Sequence, residues 1–263
     1  MLNQSPSRFY QAKAILVLFL WLVAPISAQS SSTFTLEKGE LPIFLIAPHG
    51  GNGGLPEAPI RRARDSDDPH FSGKKDMLTA ELTRSYSKQI FQVTGKKPSV
   101  LISEVHRKYC DLNRQEDWSS PAPAGQAFHR QYHTALKLEL DRLLSEHGWV
   151  LLLDIHGQSS EPHDLMVGIR EGNVIGEWSR RVLWGEGGVF ETLRSDGFTV
   201  VPDRPEQEIR FGGGFIVKTY GADDRVEAWQ LEHGSNLRFD QARYDKYVEL
   251  MVEALANALR NGK

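Results

Sequence analysis

The sequence predicts an α/β domain in which helices cover a β-sheet. Short apolar runs typical of strands alternate with longer stretches in which apolar residues recur near the helical period of 3.6 residues. Of the 263 residues, 40% are hydrophobic and 25% are charged, which is ordinary for a folded globular protein. A usual size of about 100–200 residues per domain allows one large domain, and we predict a single one.

Six short apolar segments are predicted as strands and four longer segments as helices. The predicted strands cover residues 42–47, 99–103, 149–155, 164–169, 199–201 and 228–232. The predicted helices cover residues 76–93, 125–146, 173–194 and 240–259. Between them, loops at 49–73 and 203–214 contain Gly and Pro, and such loops on a rigid scaffold often carry function.

The first 28 residues are predicted to be a secretory signal peptide. Arg8 and Lys13 precede an apolar run from Ala14 to Ala24, and small residues up to Ala28 follow it. The run is shorter than the roughly 20 residues that a membrane-spanning helix needs. We expect a secreted or periplasmic protein with cleavage near Ala28, a polar tether over 29–40 and the α/β domain over 41–263. An uncleaved membrane anchor is the alternative.

Charge and cysteine content argue against two classes of function. Thirty-one Lys and Arg against 34 Asp and Glu give a net charge of -3, so the chain lacks the basic excess of nucleic-acid binding proteins. The single cysteine, Cys110, can form neither an internal disulfide nor a thiolate metal cluster. Any metal ion would therefore be held by nitrogen and oxygen ligands.

Two histidines stand where predicted strands end. His49 follows the strand at 42–47, His156 ends the strand at 149–155, and a glycine comes after each histidine. Ligands bind at the carboxyl ends of strands in open α/β sheets, and glycines let a metal or substrate approach the backbone. A catalytic zinc ion typically takes three protein ligands from His and carboxylate side chains. We therefore predict that His49 and His156 bind zinc, although either one alone is more often an ordinary hydrogen-bonded histidine.

A dense polar segment, RKYCDLNR at residues 107–114, follows the strand at 99–103. An arginine can hold a carboxylate through two parallel hydrogen bonds, and a neighbouring asparagine adds donors. Arg107, Asn113 and Arg114 therefore suit the recognition of an acidic substrate. The alternative is a charged loop that faces solvent.

A glutamate, Glu232, stands at the end of the strand predicted at 228–232. A carboxylate beside a metal-activated water can take its proton and later deliver it to a leaving amine. Glu232 is therefore the candidate general base. The alternative is a glutamate at a strand edge that pairs with an arginine.

Five segments in this order resemble the N-formylglutamate amidohydrolase family, which is related to the zinc carboxypeptidases and aspartoacylases. They are PHGG from residue 48, RKYCDLNR from 107, LLLDIHG from 151, GGFIVKTYG from 213 and QLEHG from 230. The resemblance spans about residues 42–238, and its DLNR and DIHG elements are the most specific. It implies a carboxypeptidase-like three-layer α/β/α fold with a mixed sheet, one zinc ion and hydrolysis of an amide bond next to an acidic amino acid or peptide.

The resemblance also implies roles for individual residues. His49 and His156 match the metal histidines, and Glu232 matches the general base. Arg107, Asn113 and Arg114 match the residues that bind the substrate carboxylate, and we assign Arg107 to the oxyanion. The segment from residue 213 lines the substrate side in the family, which predicts that Lys218 and Tyr220 bind substrate.

The third zinc ligand departs from the pattern of the carboxypeptidases and aspartoacylases. They carry a glutamate three residues after the first histidine, whereas this chain has Asn52 there. The carboxylate must then come from elsewhere. We predict Glu57, with Asp67 or Asp68 as the alternatives.

These features together predict a secreted, zinc-dependent amidohydrolase that acts on a small acidic N-acyl amino acid or peptide. We expect no nucleic-acid partner, and no membrane contact once the signal is removed. A zinc carboxypeptidase or γ-glutamyl-type peptidase with the same site is one alternative. Another is a secreted binding protein that kept a carboxylate pocket and lost the metal.

Overall fold

A mixed seven-stranded sheet lies at the centre of the computed structural model, which describes residues 33–169, 176–204, 212–260 and 262–263. The strands are β1 (Phe34–Glu37), β2 (Ile43–Ala47), β3 (Ser99–Ser103), β4 (Val150–Gln158), β5 (Leu165–Gly168), β6 (Val200–Val201) and β7 (Val226–Gly234). Their order across the sheet is β1-β3-β2-β4-β7-β5-β6. The central strands β3, β2, β4 and β7 run parallel, whereas β1 and β5 run antiparallel to the central strands that they pair with.

Helices cover both faces of this sheet. They are α1 (Thr79–Thr94), α2 (Glu116–Ser119), α3 (Pro123–His147), α4 (Glu177–Trp184), α5 (Val189–Ser195), α6 (Phe215–Tyr220), α7 (Ser235–Arg238) and α8 (Gln241–Arg260). One apolar core lies between the sheet and α1, α4, α5 and α8, and a second lies between the sheet and α3 and α6. The predicted three-layer α/β/α architecture with a mixed sheet is thus confirmed.

The strand β2 contributes to both cores. Ile43, Leu45 and Ala47 pack in the core under α1 and α8. Phe44 and Ile46 pack in the core under α3. Because successive side chains of a strand point to opposite faces, a strand covered on both sides needs an uninterrupted apolar run. This requirement explains why β2 was recognisable from the sequence.

The predicted helix at 173–194 is two helices, α4 and α5, over the part that the structure describes. The interruption falls at Gly185, Gly187 and Gly188, and Gly187 has a φ of 66°. Glycine adopts this left-handed conformation without the steric cost that other residues pay. The start of the predicted helix, at 173–175, lies outside the described residues.

The strand β1 corrects the prediction of a polar tether over residues 29–40. Phe34 pairs with Ser103 and Glu37 with Val100, so residues 34–37 form an edge strand of the sheet, whereas residues 29–32 lie outside the described residues. The Phe34 ring also packs edge-on against Tyr132, with the ring centroids 6.0 Å apart. An edge strand with one covered face needs few apolar residues, which is why its four-residue pattern was not recognised.

The predicted signal peptide at 1–28 lies outside the described residues. Among the helices that the structure does describe, none combines the length and the apolar character needed to cross a membrane.

Candidate metal centre and active site

The strands β2 and β4 bring His49 and His156 together at one edge of the sheet. The strands are adjacent and parallel, with Ile46 paired to Asp154, so the residues at their carboxyl ends lie side by side. The two imidazole ring centroids are 4.7 Å apart. Both side chains are buried, with relative exposures of 1% and 2%. The structure therefore places the two predicted metal ligands next to each other.

Asp76 supplies a carboxylate between these rings. Its Oδ2 lies 2.9 Å from His156 Nδ1 and 3.3 Å from His49 Nδ1. One candidate ligand atom from each of the three residues lies within 4.8 Å of the other two. The Asp76 backbone N–H donates a hydrogen bond to the His49 carbonyl, which fixes the loop at this point. We call these three residues the His–Asp–His cluster.

This arrangement corrects the predicted third metal ligand. Glu57 is exposed to solvent and is not part of the cluster, and Asp76 is the carboxylate that lies beside the two histidines. Of the two alternatives, Asp67 is also exposed, and Asp68 is buried in an ion pair with Arg114 at 2.7 Å. Asp76 comes from the end of the long loop after β2, just before α1, where its backbone N–H bonds to the His49 carbonyl.

Each histidine of the cluster has a buried aspartate next to its other ring nitrogen. His49 Nε2 lies 2.7 Å from Asp111 Oδ1, and His156 Nε2 lies 3.0 Å from Asp154 Oδ1. For His49, the Asp111 carboxylate beside Nε2 favours a proton there and leaves the Nδ1 lone pair available to a metal ion. Among the described residues, both Asp154 carboxylate oxygens are buried and lack a hydrogen-bond partner, so a buried negative charge lies beside His156.

The donor set of the cluster fits a zinc ion. Two ring nitrogens and one carboxylate oxygen are the usual three protein ligands of a catalytic zinc site. Burial would raise the pKa of Asp76, yet the hydrogen bonds from His156 and His49 hold it well below its ordinary value. Burial would lower the pKa of His156. The charge of Asp154 and the hydrogen bond between His156 and Asp76 nevertheless raise this pKa well above its usual value. The cluster therefore favours positive charge, which a bound divalent cation would supply.

Glu232 lies beside the cluster on the neighbouring strand. It is opposite His156 in the register of the parallel strands β4 and β7. Its Oε1 accepts a hydrogen bond of 2.8 Å from Gln230 Nε2. Burial raises the pKa of Glu232 above its ordinary value, although the positive charge of His156 opposes this. A carboxylate with a raised pKa is a better proton acceptor near neutral pH.

Arg107 lies next to the carboxylate of the cluster. Its Nε donates to Asp111 Oδ2 at 2.9 Å, and its Nη1 is 3.7 Å from Asp76 Oδ1. Burial lowers the pKa of Arg107, but the charges of Asp111 and Asp76 outweigh this effect and raise it. The guanidinium therefore stays charged beside the site.

Asn113 points into the centre of the site. Its Nδ2 contacts His156 Nε2 at 3.1 Å and Gln230 Oε1 at 3.4 Å, and its Oδ1 accepts a hydrogen bond from the Ile216 backbone. These protein contacts occupy both ends of the amide. The structure therefore supports a positioning role for Asn113 better than the predicted contact with substrate.

Lys218 and Tyr220 are not among the described residues that line the cavity beside the cluster. Lys218 is exposed on α6, and the Tyr220 ring stacks on His133 of α3 with an interplanar angle of 7°. The Tyr220 hydroxyl lies 2.9 Å from His133 Nδ1. This corrects their predicted contact with substrate: α6 packs in the layer of α3 and turns the Tyr220 side chain towards that helix.

Two histidines of α3 form hydrogen bonds to backbone carbonyls of the segment 107–114. His129 Nε2 donates to the Arg114 carbonyl at 2.8 Å, and His133 Nε2 donates to the Leu112 carbonyl at 2.9 Å. These carbonyls flank Asn113. Burial and the neighbouring His129 lower the pKa of His133 to about 4, so both of its donor and acceptor contacts persist at neutral pH.

Acidification is expected to destabilise the protein through His133. Its pKa of about 4 in the folded state lies below the ordinary value of about 6.5, so the unfolded state takes up the proton first. Stability that is fully present above about pH 6.5 is therefore lost as the pH falls towards 4. The urea concentration at the unfolding midpoint should decrease between about pH 7 and about pH 4.5. This decrease should be smaller for His133→Gln than for the wild type. Equal falls would contradict the assignment.

The glycine after each histidine makes room for protein atoms. A Cβ at Gly50 would lie 2.8 Å from the Ala80 backbone nitrogen, and one at Gly157 would lie 2.5 Å from the Arg238 guanidinium carbon. We expected these glycines to open the backbone to a metal or substrate. The structure shows that they allow α1 and Arg238 to pack closely against the sheet edge.

Three residues of the site were missed from the sequence: Asp76, Gln230 and Arg238. Asp76 stands at the start of a predicted helix, where an acidic residue is ordinarily read as favourable to the helix dipole. Arg238 is buried, and it donates to the carbonyls of His233 and Gln158 at 3.0 Å each and to that of Met77. It thus ties β7 and β4 to the loop before α1, and nothing in its sequence neighbourhood indicates this.

The candidate site opens into a cavity of about 980 Å³. The His–Asp–His cluster, Arg107 and Glu232 all line it. A three-ligand donor set with an adjacent carboxylate, in a cavity at the carboxyl edge of a sheet, is typical of the class of metal-dependent hydrolases. This cavity is therefore the candidate active site.

Comparison with known proteins agrees with this class. Residues 122–237 match the family model described as N-formylglutamate amidohydrolase, which confirms the resemblance suggested by the sequence segments. A search of curated proteins found no match.

Solved structures share the fold. The structure of an N-formylglutamate amidohydrolase from Ralstonia eutropha is similar with a TM-score of 0.64 and 20% identity, over 89% of this chain and 100% of that one. A protein from Agrobacterium tumefaciens is similar with a TM-score of 0.56 and 11% identity, over 88% of this chain and 96% of that one.

Proposed function

We propose that the protein is a zinc-dependent amidohydrolase that cleaves an amide bond of an acidic N-acyl amino acid or peptide. The observation that carries this proposal is the buried His–Asp–His cluster with Glu232 beside it in one cavity. The family match over residues 122–237 supports an amide as the bond that is cleaved. Two lysines that line the cavity, Lys75 and Lys108, support an acidic substrate.

His49, Asp76 and His156 would hold the zinc ion, which when bound supplies a Lewis acid for the carbonyl and lowers the pKa of water. Glu232 accepts the proton that water loses as its oxygen adds to the carbonyl carbon. Arg107 stabilises the negative charge that develops on the carbonyl oxygen. When the C–N bond breaks, Glu232 returns the proton to the leaving nitrogen, so the products are a carboxylic acid and an amine.

The function is tested by zinc content and by turnover of N-formylglutamate and N-acetylglutamate. We expect about one zinc ion per chain, hydrolysis of at least one compound, loss of turnover with a chelator and recovery with added zinc. Full turnover of the chelated, metal-free protein would exclude the metal mechanism. Bound zinc without hydrolysis of either compound would exclude the proposed substrate class. Absence of both zinc and turnover would favour the binding-protein alternative.

A peptide substrate is a second candidate, which the size of the cavity favours. About 980 Å³ lies at the upper end of the roughly 300–1,000 Å³ usual for pockets that hold drug-sized ligands. Such a cavity has room for a ligand longer than an N-formyl amino acid. Turnover of γ-glutamyl and α-linked acidic dipeptides, compared with N-formylglutamate, separates the peptidase from the amidohydrolase.

We also propose that the protein is exported. The charged, apolar and small-residue order of residues 1–28 supports this. Mass spectrometry of the protein from fractionated cells tests it, and a full-length chain found only in the cytoplasmic fraction would contradict it.

A further inference from the structure

The arginine expected to hold the substrate carboxylate is already engaged by the protein. Arg114 donates through Nε to Asp68 at 2.7 Å, through Nη1 to the Asn113 carbonyl at 2.9 Å and through Nη2 to the His70 carbonyl at 2.8 Å. All three nitrogens of its guanidinium therefore point at protein acceptors. A guanidinium fork used in this way is poorly placed for a bidentate contact with a ligand. The recognition of a substrate carboxylate must then involve other cations.

Three lysines at the cavity have no acidic partner among the described residues. Lys74, Lys75 and Lys108 line the cavity, and none of them makes an ion pair in the part of the chain that the structure describes. Lys75 Nζ donates to the neutral Asn52 Oδ1 at 2.6 Å, and Lys108 Nζ lies 5.2 Å from the centroid of the Tyr109 ring. Neither contact neutralises the positive charge.

Two of these lysines lie close to His106, which also lines the cavity. Burial lowers the pKa of His106, and the charges of Lys108 and Lys75 lower it further. The Lys108 backbone N–H donates to His106 Nδ1 at 3.0 Å. The neutral ring therefore carries its proton on Nε2, where it can donate a hydrogen bond.

A buried arginine, Arg61, holds the loops that carry these groups. Its backbone N–H donates to the Lys108 carbonyl at 2.8 Å. Its Nη1 donates to the Ser72 carbonyl at 3.2 Å and to the Arg107 carbonyl at 3.3 Å. Because the segment at Ser72 leads directly to Lys75, Arg61 ties both lysine-bearing loops to one point. Like charges held near one another are unfavourable alone, and a bound anion relieves their repulsion.

We propose that Lys75, His106 and Lys108 form an anion subsite that binds a carboxylate of the substrate and sets the preference for acidic substrates. This inference rests on the proposed amidohydrolase function and names the residues that select its substrate. Two ammonium groups and one imidazole N–H provide the donors that a carboxylate accepts. Arg107 then keeps its proposed role at the reacting carbonyl.

The test compares N-formylglutamate with its two monoamides, N-formylglutamine and N-formylisoglutamine. Each monoamide keeps the size of the diacid and lacks one carboxylate. The wild type should prefer the diacid, and the double variant Lys75→Gln/Lys108→Gln should lose this preference against one of the monoamides. We expect its KM for the diacid to rise about tenfold or more, with kcat within about twofold, because hydrogen bonds to charged groups contribute about 1.5–3 kcal/mol.

The matched control is Lys88→Gln, which removes one positive charge from an exposed position on α1 that does not line the cavity. It should keep the wild-type KM values. An unchanged preference against both monoamides in the double variant would overturn the subsite. A rise in KM for Lys88→Gln equal to that of the double variant would also overturn it, because the effect would then come from net charge.

A binding measurement separates failure of the subsite from failure of the proposed reaction. Calorimetric titration with N-acetylglutamate should give at least about tenfold weaker binding to the double variant than to the wild type and to Lys88→Gln. Weaker binding to the double variant, without turnover of any compound by the wild type, would exclude the proposed reaction and support the anion subsite. Equal affinities, or no binding to the wild type, would overturn the subsite.

Discussion

The variant Asp76→Asn is expected to lose both zinc and activity. The amide keeps the size of the side chain and removes the negative charge, so the third ligand becomes a weak neutral oxygen. Substitution of outer residues around a metal site already costs about 10–100-fold in metal affinity, and removal of a ligand should cost at least about 100-fold. Zinc titration against a competing chelator and turnover of N-formylglutamate measure the two effects.

The matched control for this variant is Glu57→Gln. It removes one carboxylate from the same loop, at the exposed position that the sequence favoured for the third ligand. We expect it to bind zinc and to turn over substrate as the wild type does. If Glu57→Gln loses zinc and Asp76→Asn retains it, the assignment of Asp76 is refuted and the sequence-based choice is restored.

The variant Glu232→Gln is expected to keep its zinc and to lose most of its turnover. General acid–base catalysis contributes about 10²–10⁴-fold, and an amide cannot accept the proton from water. The carbonyl oxygen of glutamine can still accept the hydrogen bond that Gln230 gives to Glu232, so the local fold should persist. The effect should therefore appear in kcat at full zinc occupancy, and both quantities are measured on the same preparation.

The control for Glu232 is Glu161→Gln. Glu161 also lines the cavity, but it is exposed and is not part of the His–Asp–His cluster. It should keep the wild-type kcat. Wild-type turnover in Glu232→Gln at full zinc occupancy would remove Glu232 as the general base.

The elements that the sequence predicted well are those buried on two faces or amphipathic over many turns. The strand β2 is a continuous apolar run, β3 has an apolar centre, and α8 carries a long apolar face, so burial alone defines them. The elements that it missed are short. The helices α2 and α7 have four residues each and α6 has six, which is too short for a helical period to be visible.

The residues of the site also divide into those that the sequence indicates and those that it does not. His49, His156 and Glu232 each stand at the carboxyl end of a recognisable strand, and parallel neighbours in a sheet bring such residues to one edge. Their proximity therefore follows from strand positions that the sequence reveals. Asp76 reaches the site from a loop whose path depends on contacts with distant parts of the chain.

The sequence by itself determined the layered α/β fold, the sheet edge that carries the site and the side chains that stand at strand ends, because these depend on local burial patterns. The tertiary structure decided which carboxylate lies beside the two histidines, which protein acceptors Arg114 contacts and which cavity lysines make no ion pair among the described residues. These outcomes depend on pairs of side chains far apart along the chain, such as Arg114 and Asp68. Their contacts exist only after folding has brought the loops together, so no local pattern encodes them.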